Sequence, residues 1–233
     1  MDQRPVWSVS CEILQQGADR DVARRAAADL ARVAVDDAVA VSPGADEVVR
    51  AVRRVIEDGC RWRADAYGML MYVLNHAYEW RSLRLMRDRY RGEFDASIAE
   101  EEAVFEALAG LDAVVREELV DDDPEVRAMA CLLLGSISGQ PELDAELVRM
   151  LFDAETDDLL RGCAAESLVR LGADGAEFLG DPAAAVRQRL AWFYTRWPQG
   201  PRVKFLDDAL HERISILLRE HAPLDWKILA EEV

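Results

Sequence analysis

The stretch DPEVRAMA at residues 123–130 decides the fold, because it recurs as DDLLRGCA at residues 157–164 and, in part, as DPAAAVR at residues 181–187. Each copy places an acidic turn before an aliphatic residue, an arginine and an apolar helical face. Repetition at a period of about 20–50 residues is typical of solenoid proteins, in which helical hairpins pack on one another. The three copies therefore predict an all-α fold built from stacked helical hairpins.

Local signals within the first copy predict where its helices begin and end. Asp123 can cap a helix that has Pro124 in its first turn, where a backbone N–H lacks an intrahelical partner. The break at residues 139–141 separates this helix from a return helix. The expected inner stripe comprises Val126, Met129, Ala130, Leu133 and Ile137, the return helix is expected to bury Leu143, Leu147, Met150 and Leu151, and Leu160, Ala164, Leu168 and Leu171 repeat the stripe.

The third copy is irregular. Arg127 and Arg161 are 34 residues apart, whereas Arg161 and Arg187 are only 26 apart, so the return helix within residues 172–181 has room for a turn or two. Two additional residues also separate the DP pair of this copy from its VR pair. Larger apolar side chains continue the helical spacing at Val186, Leu190, Phe193 and Trp197. Residues 198–233, which follow them, are predicted to be capping helices.

Alternating amphipathic segments and short breaks extend the pattern into the N-terminal half. The whole chain, residues 1–233, is therefore predicted to be one domain in which residues 111–197 hold the clearest repeats. After a short lead that contains Trp7 and Ile13, helices are predicted from Asp19 or Asp21 to about Val35, from about Ala45 to the break at Asp58 and Gly59, from about Arg63, from about Trp80 to Tyr90, and from Asp95 or Ser97 to Leu108.

The motif Asp-Pro-x-Val-Arg-x-x-Ala of the first copy, closed by Leu134 and Gly135, resembles the HEAT repeat. The second copy matches through Asp157, Leu160, Arg161, Ala164 and the pair Leu171 and Gly172. The resemblance implies an armadillo-like α-solenoid, a right-handed α-α superhelix of about 11–13 HEAT-like helices. It also implies a scaffold that holds protein partners.

The negative charge of the chain is concentrated in the repeat region. The formal net charge is −17, and residues 100–181 hold 22 acidic and 5 basic residues while the rest of the chain holds 23 of each. Such a segment repels phosphate backbones and anionic lipid and attracts cationic groups. We therefore expect a basic protein partner, and binding to neither nucleic acid nor a membrane.

Stacked hairpins would align the acidic turns along one edge as a negative ridge, and acids on the return helix would add to it. Carboxylates beside Pro124 also serve as helix caps and solvated charge, so the ridge is either a partner surface or a means of solubility. The predicted partner-binding residues are Glu117, Glu118, Asp121, Asp122, Asp123, Glu142, Asp144, Glu146, Asp153, Glu155, Asp157, Asp158 and Asp181.

The repeated arginines Arg127, Arg161 and Arg187 allow two interpretations. They could form a ladder of anion-binding side chains. Each, however, lies one turn into its helix beside an acidic turn. This position favours a structural role, in which each arginine pairs with a neighbouring aspartate and cross-links adjacent repeats.

The sequence offers no motif for catalysis, for a metal or for a cofactor, and none of the three is expected. His76 has no nucleophile or acid in a recognisable motif with it, and His211 and His221 are too far apart along a helix to share a metal. The aromatic cluster near the end of the repeats is expected to pack in the core or the cap, and it comprises Trp192, Phe193, Tyr194 and Trp197. The four cysteines are scattered, which predicts buried thiols in a reducing compartment, at Cys11, Cys60, Cys131 and Cys163.

The leading prediction of function is a non-catalytic interaction scaffold, and one concrete form is an immunity or antitoxin-like inhibitor that covers the basic cleft of a toxin. An alternative is an enzyme similar to the HEAT-like alkylbase DNA glycosylases, for which Trp192 and Trp197 would suit base stacking but the acidic repeats would oppose DNA. A regulatory subunit or chromophore lyase of the HEAT type is another alternative. The N-terminus lacks a basic start followed by an apolar run, and no window approaches about eighteen apolar residues, so a cytoplasmic location is expected.

Overall fold

The computed structural model describes residue 5 and residues 7–36, 40–83 and 95–196. The described chain is helical apart from one pair of two-residue antiparallel strands, β1 (Val35–Asp36) and β2 (Ala40–Val41). The predicted all-α class is therefore confirmed. Two compact units divide the described residues, one that ends at Leu111 and one that begins at Asp112.

The described residues of the first unit form five helices that pack in an alternating order. Helices α1, α3 and α5 contact one another in sequence, and α2 packs against α4, while neighbours along the chain also touch. The helices are α1 (Ser8–Gln16), α2 (Arg20–Ala34), α3 (Ala45–Glu57), α4 (Arg63–Leu83) and α5 (Asp95–Leu108). Alanine and valine line the buried faces of α2 and α3, which allows these helices to approach closely.

Several predicted boundaries in this unit are confirmed, because local chemistry alone sets them. The carboxylate of Asp19 accepts a hydrogen bond from the Val22 N–H at 3.0 Å and starts α2. Gly44 and Gly59 flank α3 with φ of 81° and 95°, a conformation that side chains with a Cβ rarely adopt.

Two predictions in this unit are wrong. The lead predicted to contain Trp7 and Ile13 is mostly helical, because Ile13 lies in α1; the N-cap of this helix makes no side-chain hydrogen bond and so carries no capping signal in the sequence. The predicted new helix at Trp80 is instead the last part of α4, because no glycine, proline or cap interrupts residues 74–80. The rest of that predicted helix, to Tyr90, lies outside the described residues.

In its described part, residues 112–196, the second unit has six helices, with α7, α9 and α11 in a central row. Helix α9 packs between α7 and α11, and α8 packs against both α7 and α9. The helices are α6 (Asp112–Glu117), α7 (Pro124–Ile137), α8 (Pro141–Ala154), α9 (Asp158–Arg170), α10 (Gly175–Phe178) and α11 (Ala184–Arg196), with a 3-10 turn at Glu118–Val120. The predicted stripes of α7 and α9 are buried in this row, and α10 is a single turn, in agreement with the turn or two that the spacing of the arginines predicts.

Glycine allows the close approach of α7 and α9. A Cβ on Gly135 would lie 2.6 Å from the Ser167 Oγ and 2.9 Å from its Cα, closer than real atoms come. The Ser167 hydroxyl donates a 2.7 Å hydrogen bond to the Cys131 carbonyl. The Leu-Gly pair that closes the first sequence copy therefore lies where two helix backbones nearly touch.

The irregular third copy begins its helix in the same place as the other two. Helices α7, α9 and α11 begin three residues before Arg127, Arg161 and Arg187, respectively. The DP pair at residues 181–182 is therefore not the counterpart of the one at residues 123–124, because it lies two residues earlier relative to its helix.

The predicted buried face of the return helix is wrong. Helix α8 buries Asp144, Val148 and Phe152, whereas Leu143 is 43% exposed and Met150 is 69% exposed. The buried face is displaced by about one residue because Asp144 is held in the interior by hydrogen bonds from Arg116 and Ser138. The predictions for Trp197, for the capping helices at 198–233 and for His211 and His221 lie outside the described residues.

Candidate functional site

Three acidic turns of the second unit share one construction. Asp121, Glu155 and Asp181 each stand six residues before an arginine of the sequence copies. The carboxylate of each accepts a hydrogen bond from the backbone N–H two residues further on, at 2.8, 2.9 and 2.8 Å, respectively. These three acids are thus the true equivalents, and each stabilises the turn that leads into α7, α9 or α11.

Ion pairs connect consecutive turns. Arg127 donates to Glu155 at 3.1 Å, and Arg161 donates to Asp181 at 3.1 Å, so the arginine of one turn reaches the acid of the next. Arg127 and Arg187 also donate to carbonyls of their own turns, Arg127 to that of Asp121 at 2.7 Å. The structural interpretation is confirmed for Arg127 and Arg161, whose guanidinium groups bind carboxylates of the next turn, although the partner of Arg127 is a glutamate. Arg187 donates to carbonyls of its own turn instead.

A second series of ion pairs connects α6, α8 and α10. Arg116 of α6 binds Asp144 of α8, and Arg149 of α8 binds Glu177 of α10 through both terminal nitrogens at 2.7 and 3.2 Å. Both pairs span 28 residues, as the pair between Arg127 and Glu155 does. Arginine–carboxylate ion pairs therefore cross-link the return helices as they do the turns.

The pKa of Glu155 is held below its ordinary value. The backbone N–H of Asp157 is the largest cause, because it donates to the carboxylate and favours the charged form. Arg127 and the N–H of Thr156 act in the same direction and outweigh the opposing effect of burial. The folded turn between α8 and α9 therefore favours the ionised form of Glu155.

All five arginines between residues 100 and 181 bind carboxylates of this same segment. The partners are Asp112 and Asp144 for Arg116, Glu155 for Arg127, Glu177 for Arg149, Asp181 for Arg161 and Glu166 for Arg170. No cation of the segment is left to neutralise its remaining acids, all of which lie in the described part of the chain. Internal pairing therefore concentrates the excess negative charge on the other side chains.

Eight of the thirteen predicted partner-binding residues are exposed, and we call them the acidic surface. They lie on α8, in the turns that precede α7 and α9, and at the adjoining helix ends. Asp123 and Asp157 in this set also cap α7 and α9. The acidic surface comprises Glu117, Asp122, Asp123, Glu142, Glu146, Asp153, Asp157 and Asp158.

The other five predicted residues are placed differently, and Asp144 requires a correction. Its side chain is 0% exposed and is bound by Arg116 and Ser138, so it belongs to the core and not to a surface. Glu155 and Asp181 are half-buried in the ion pairs that connect the turns. Half-buried positions are also found for Glu118 and Asp121.

Sequence reasoning missed a groove on α8, which we call the α8 groove. It has a volume of about 610 Å³ and lies between α8 and the end of α9. Glu142, Glu146 and Met150 follow one another at helical spacing, a signal that could have revealed a shared face once the buried side of α8 was known. The lining residues are Pro141, Glu142, Ala145, Glu146, Arg149, Met150, Leu168, Leu171, Gly172 and Ala173.

A buried charge cluster within the row α7, α9 and α11 was also missed. Glu166 is 1% exposed and accepts hydrogen bonds from Arg170 at 2.8 Å and from Arg189 of α11 at 2.6 Å. Burial would raise the pKa of Glu166, but the two guanidinium groups outweigh it and hold the pKa below its ordinary value. The cluster ties α9 to α11, and its polar residues carry no helical hydrophobic signal in the sequence.

The cysteines and His76, which were the candidate groups for chemistry in the described part of the chain, are all buried. All four cysteines are buried and free, and burial raises the pKa of Cys11, Cys60 and Cys163 to about 11, far above that of a reactive thiolate. His76 is buried, with its Nδ1 2.9 Å from the Tyr72 carbonyl. Within residues 7–36, 40–83 and 95–196, no group of three His, Cys, Asp or Glu side chains is arranged to hold a metal.

The comparisons with known proteins return no relatives. Neither a protein-family model, nor a curated protein, nor a solved structure matches the chain. Among the helices that the structure describes, none is both long and apolar enough to cross a bilayer.

Proposed function

We propose that the chain is a non-catalytic HEAT-like α-solenoid that binds a basic protein through the acidic surface. One observation carries the proposal: all five arginines of the acidic segment are consumed by internal ion pairs, while eight predicted carboxylates remain exposed. A surface that served only solubility would need charge but no such separation of paired and unpaired acids.

The packing of the helices supports the solenoid part of the proposal. In each unit, helices two apart in the chain form rows, α1 with α3 and α5 in the first and α7 with α9 and α11 in the second. This alternation is the arrangement that stacked hairpins produce. The cross-links from Arg127 to Glu155 and from Arg161 to Asp181 would hold consecutive turns along one edge.

A rigid acidic edge suits recognition of a basic protein. Aligned charges accelerate the encounter with an oppositely charged partner and orient it, and they repel phosphate backbones. Helix ends and cross-linked turns hold the carboxylates in place, so little side-chain entropy is lost when the partner binds. An inhibitor that covers the basic cleft of another protein remains one form that this function could take.

The experiment compares two charge-neutralised variants of the full chain. The test variant carries Asp122→Asn, Asp153→Asn and Asp158→Asn, which leaves the capping residues Asp123 and Asp157 and the ion pairs intact. The control carries Asp21→Asn, Glu47→Gln and Asp58→Asn, three exposed acids of the first unit, two of which also lie in first helical turns.

Each protein is used to capture partners from lysate of the source cells at about 50 mM and 500 mM salt, and the captured proteins are quantified by mass spectrometry. At low salt, we expect the wild type and the control to capture basic proteins that the test variant does not capture. At high salt, we expect all three proteins to lose them. An identical set on all three proteins would refute the proposal. Retention of duplex DNA at physiological salt would refute it as well.

A further inference from the structure

The α8 groove combines an exposed apolar side chain with acids that none of the segment's arginines neutralises. The apolar side chain is that of Met150, which lines the groove and is 69% exposed. Leu168 and Leu171 form its floor and are themselves nearly buried. A large apolar side chain is thus exposed to solvent on a groove that is also lined by buried leucines, where a partner side chain could bury it.

Two exposed carboxylates make the lining of this groove negatively charged. Glu142 and Glu146 are exposed and lie one helical turn apart, about 6 Å along the axis of α8. The one cation of the lining, Arg149, is bound bidentately by Glu177 and lies 4.9 Å from the centre of the Phe178 ring. The net charge that the groove presents to a ligand is therefore negative, although Arg149 belongs to its lining.

We infer that the α8 groove is the specificity pocket of the proposed partner surface, and that it binds a basic segment of a protein with one large apolar side chain. The apolar side chain packs on Met150 and enters between α8 and the end of α9. Two lysines or arginines, about 6 Å apart, pair with Glu142 and Glu146, a spacing that i,i+4 residues of a helix provide. This inference rests on the proposed function and names the chemistry of its partner.

A second copy of this chain fits the groove less well, because each copy carries a net charge of −17 and the rim is acidic on both. A small apolar ligand would leave the two glutamates without partners. The basic segment is the occupant that satisfies both the apolar lining and the charge.

The test uses a randomised twelve-residue peptide library displayed on phage, selected on the full wild-type chain at about 100 mM salt. We expect enriched peptides to carry one large apolar residue with Lys or Arg four positions apart. A synthetic copy of the most enriched peptide is then titrated by fluorescence anisotropy, and sedimentation measures whether the chain self-associates instead.

Two matched pairs of variants locate the binding. Met150→Ser should weaken the peptide by about tenfold or more, whereas Val120→Ser, at a residue 85% exposed outside the groove, should change it less than about twofold. Glu142→Gln with Glu146→Gln should weaken it by about three- to tenfold, and Asp122→Asn with Asp158→Asn should have little effect.

Failure of the inference is distinct from failure of the proposed function. Acidic or no enriched peptides, self-association through Met150, or equal losses in test and control variants would each overturn the groove assignment. The lysate experiment on Asp122, Asp153 and Asp158 does not alter the groove and would decide the proposed function separately.

Discussion

Arg127 of α7 binds Glu155, 28 residues later, in the turn that leads into α9. The same guanidinium donates to the carbonyl of Asp121 in its own turn, so one side chain fastens two successive turns. Arg161 repeats the contact with Asp181. Together with the pairs of Arg116 with Asp144 and of Arg149 with Glu177, four ion pairs join consecutive turns or consecutive return helices of the second unit. The acids in these pairs should matter for stability, whereas the exposed acids should not.

Replacement of Arg161 by alanine should lower the free energy of unfolding by about 1–2 kcal/mol. The change removes the ion pair with Asp181 and the contact of the guanidinium with the Phe152 ring, 4.8 Å from its centre. Arg149→Ala is the control, because Arg149 also lies over an aromatic ring, that of Phe178 at 4.9 Å, but its ion-pair partner Glu177 is more than half exposed, so the loss should be smaller, about 0–1 kcal/mol. Urea unfolding of both variants measures the difference, and equal losses would contradict the assignment.

The contribution of Glu155 to stability should depend on pH. Because the folded state holds its pKa below the ordinary value of 4.5, the carboxylate stabilises the fold above that value, and the benefit is lost as the pH falls through the folded pKa. Glu155→Gln should therefore melt lower than wild type at pH 7, by about 2–4 °C, with the gap closing below about pH 4. Thermal melts from pH 3 to pH 7 test this, and a gap that is constant with pH would contradict it.

Asp144 and Glu146 should differ sharply, although both were predicted to be surface acids. Asp144→Asn replaces the buried carboxylate that pairs with the half-buried Arg116 and should lower the free energy of unfolding by about 2–4 kcal/mol. Glu146→Gln changes an exposed side chain and should stay within about 0.5 kcal/mol. Chemical unfolding of the two single variants checks the ranking, and the reverse order would place Asp144 on the surface after all.

Gly135→Ala should disrupt the contact between α7 and α9. The added methyl group would meet the backbone and side chain of Ser167 within 3.1 Å, which the two helices can relieve only by moving apart, at a cost of about 1–3 kcal/mol. Gly139→Ala is the matched control, since its Cβ would meet only the Asp112 carboxylate at 3.4 Å. Comparable melting temperatures for the two variants would show that the helices are not in close contact at Gly135.

Short-range chemistry explains why much of the fold could be predicted. Asp19, Asp123 and Asp157 cap helices through hydrogen bonds that span only two or three residues, so their effect is visible in the local sequence. The inner stripes of α7 and α9 follow from helical periodicity for the same reason. Helix α1 escaped prediction because its first residue has no side-chain cap, and α4 was divided at Trp80 without a breaking residue.

The sequence by itself determined the helical class, the three capped turns and the concentration of negative charge, because each depends on residue type and on neighbours a few positions away. Only the tertiary structure decided which acids are bound in internal ion pairs and which are exposed to solvent. Asp144 and Glu142 are two residues apart and both carry a carboxylate. The first is buried and bound by Arg116, whereas the second is exposed and lines the α8 groove. That difference depends on how far α8 is rotated about its axis, and contacts from residues 28 positions away set that rotation.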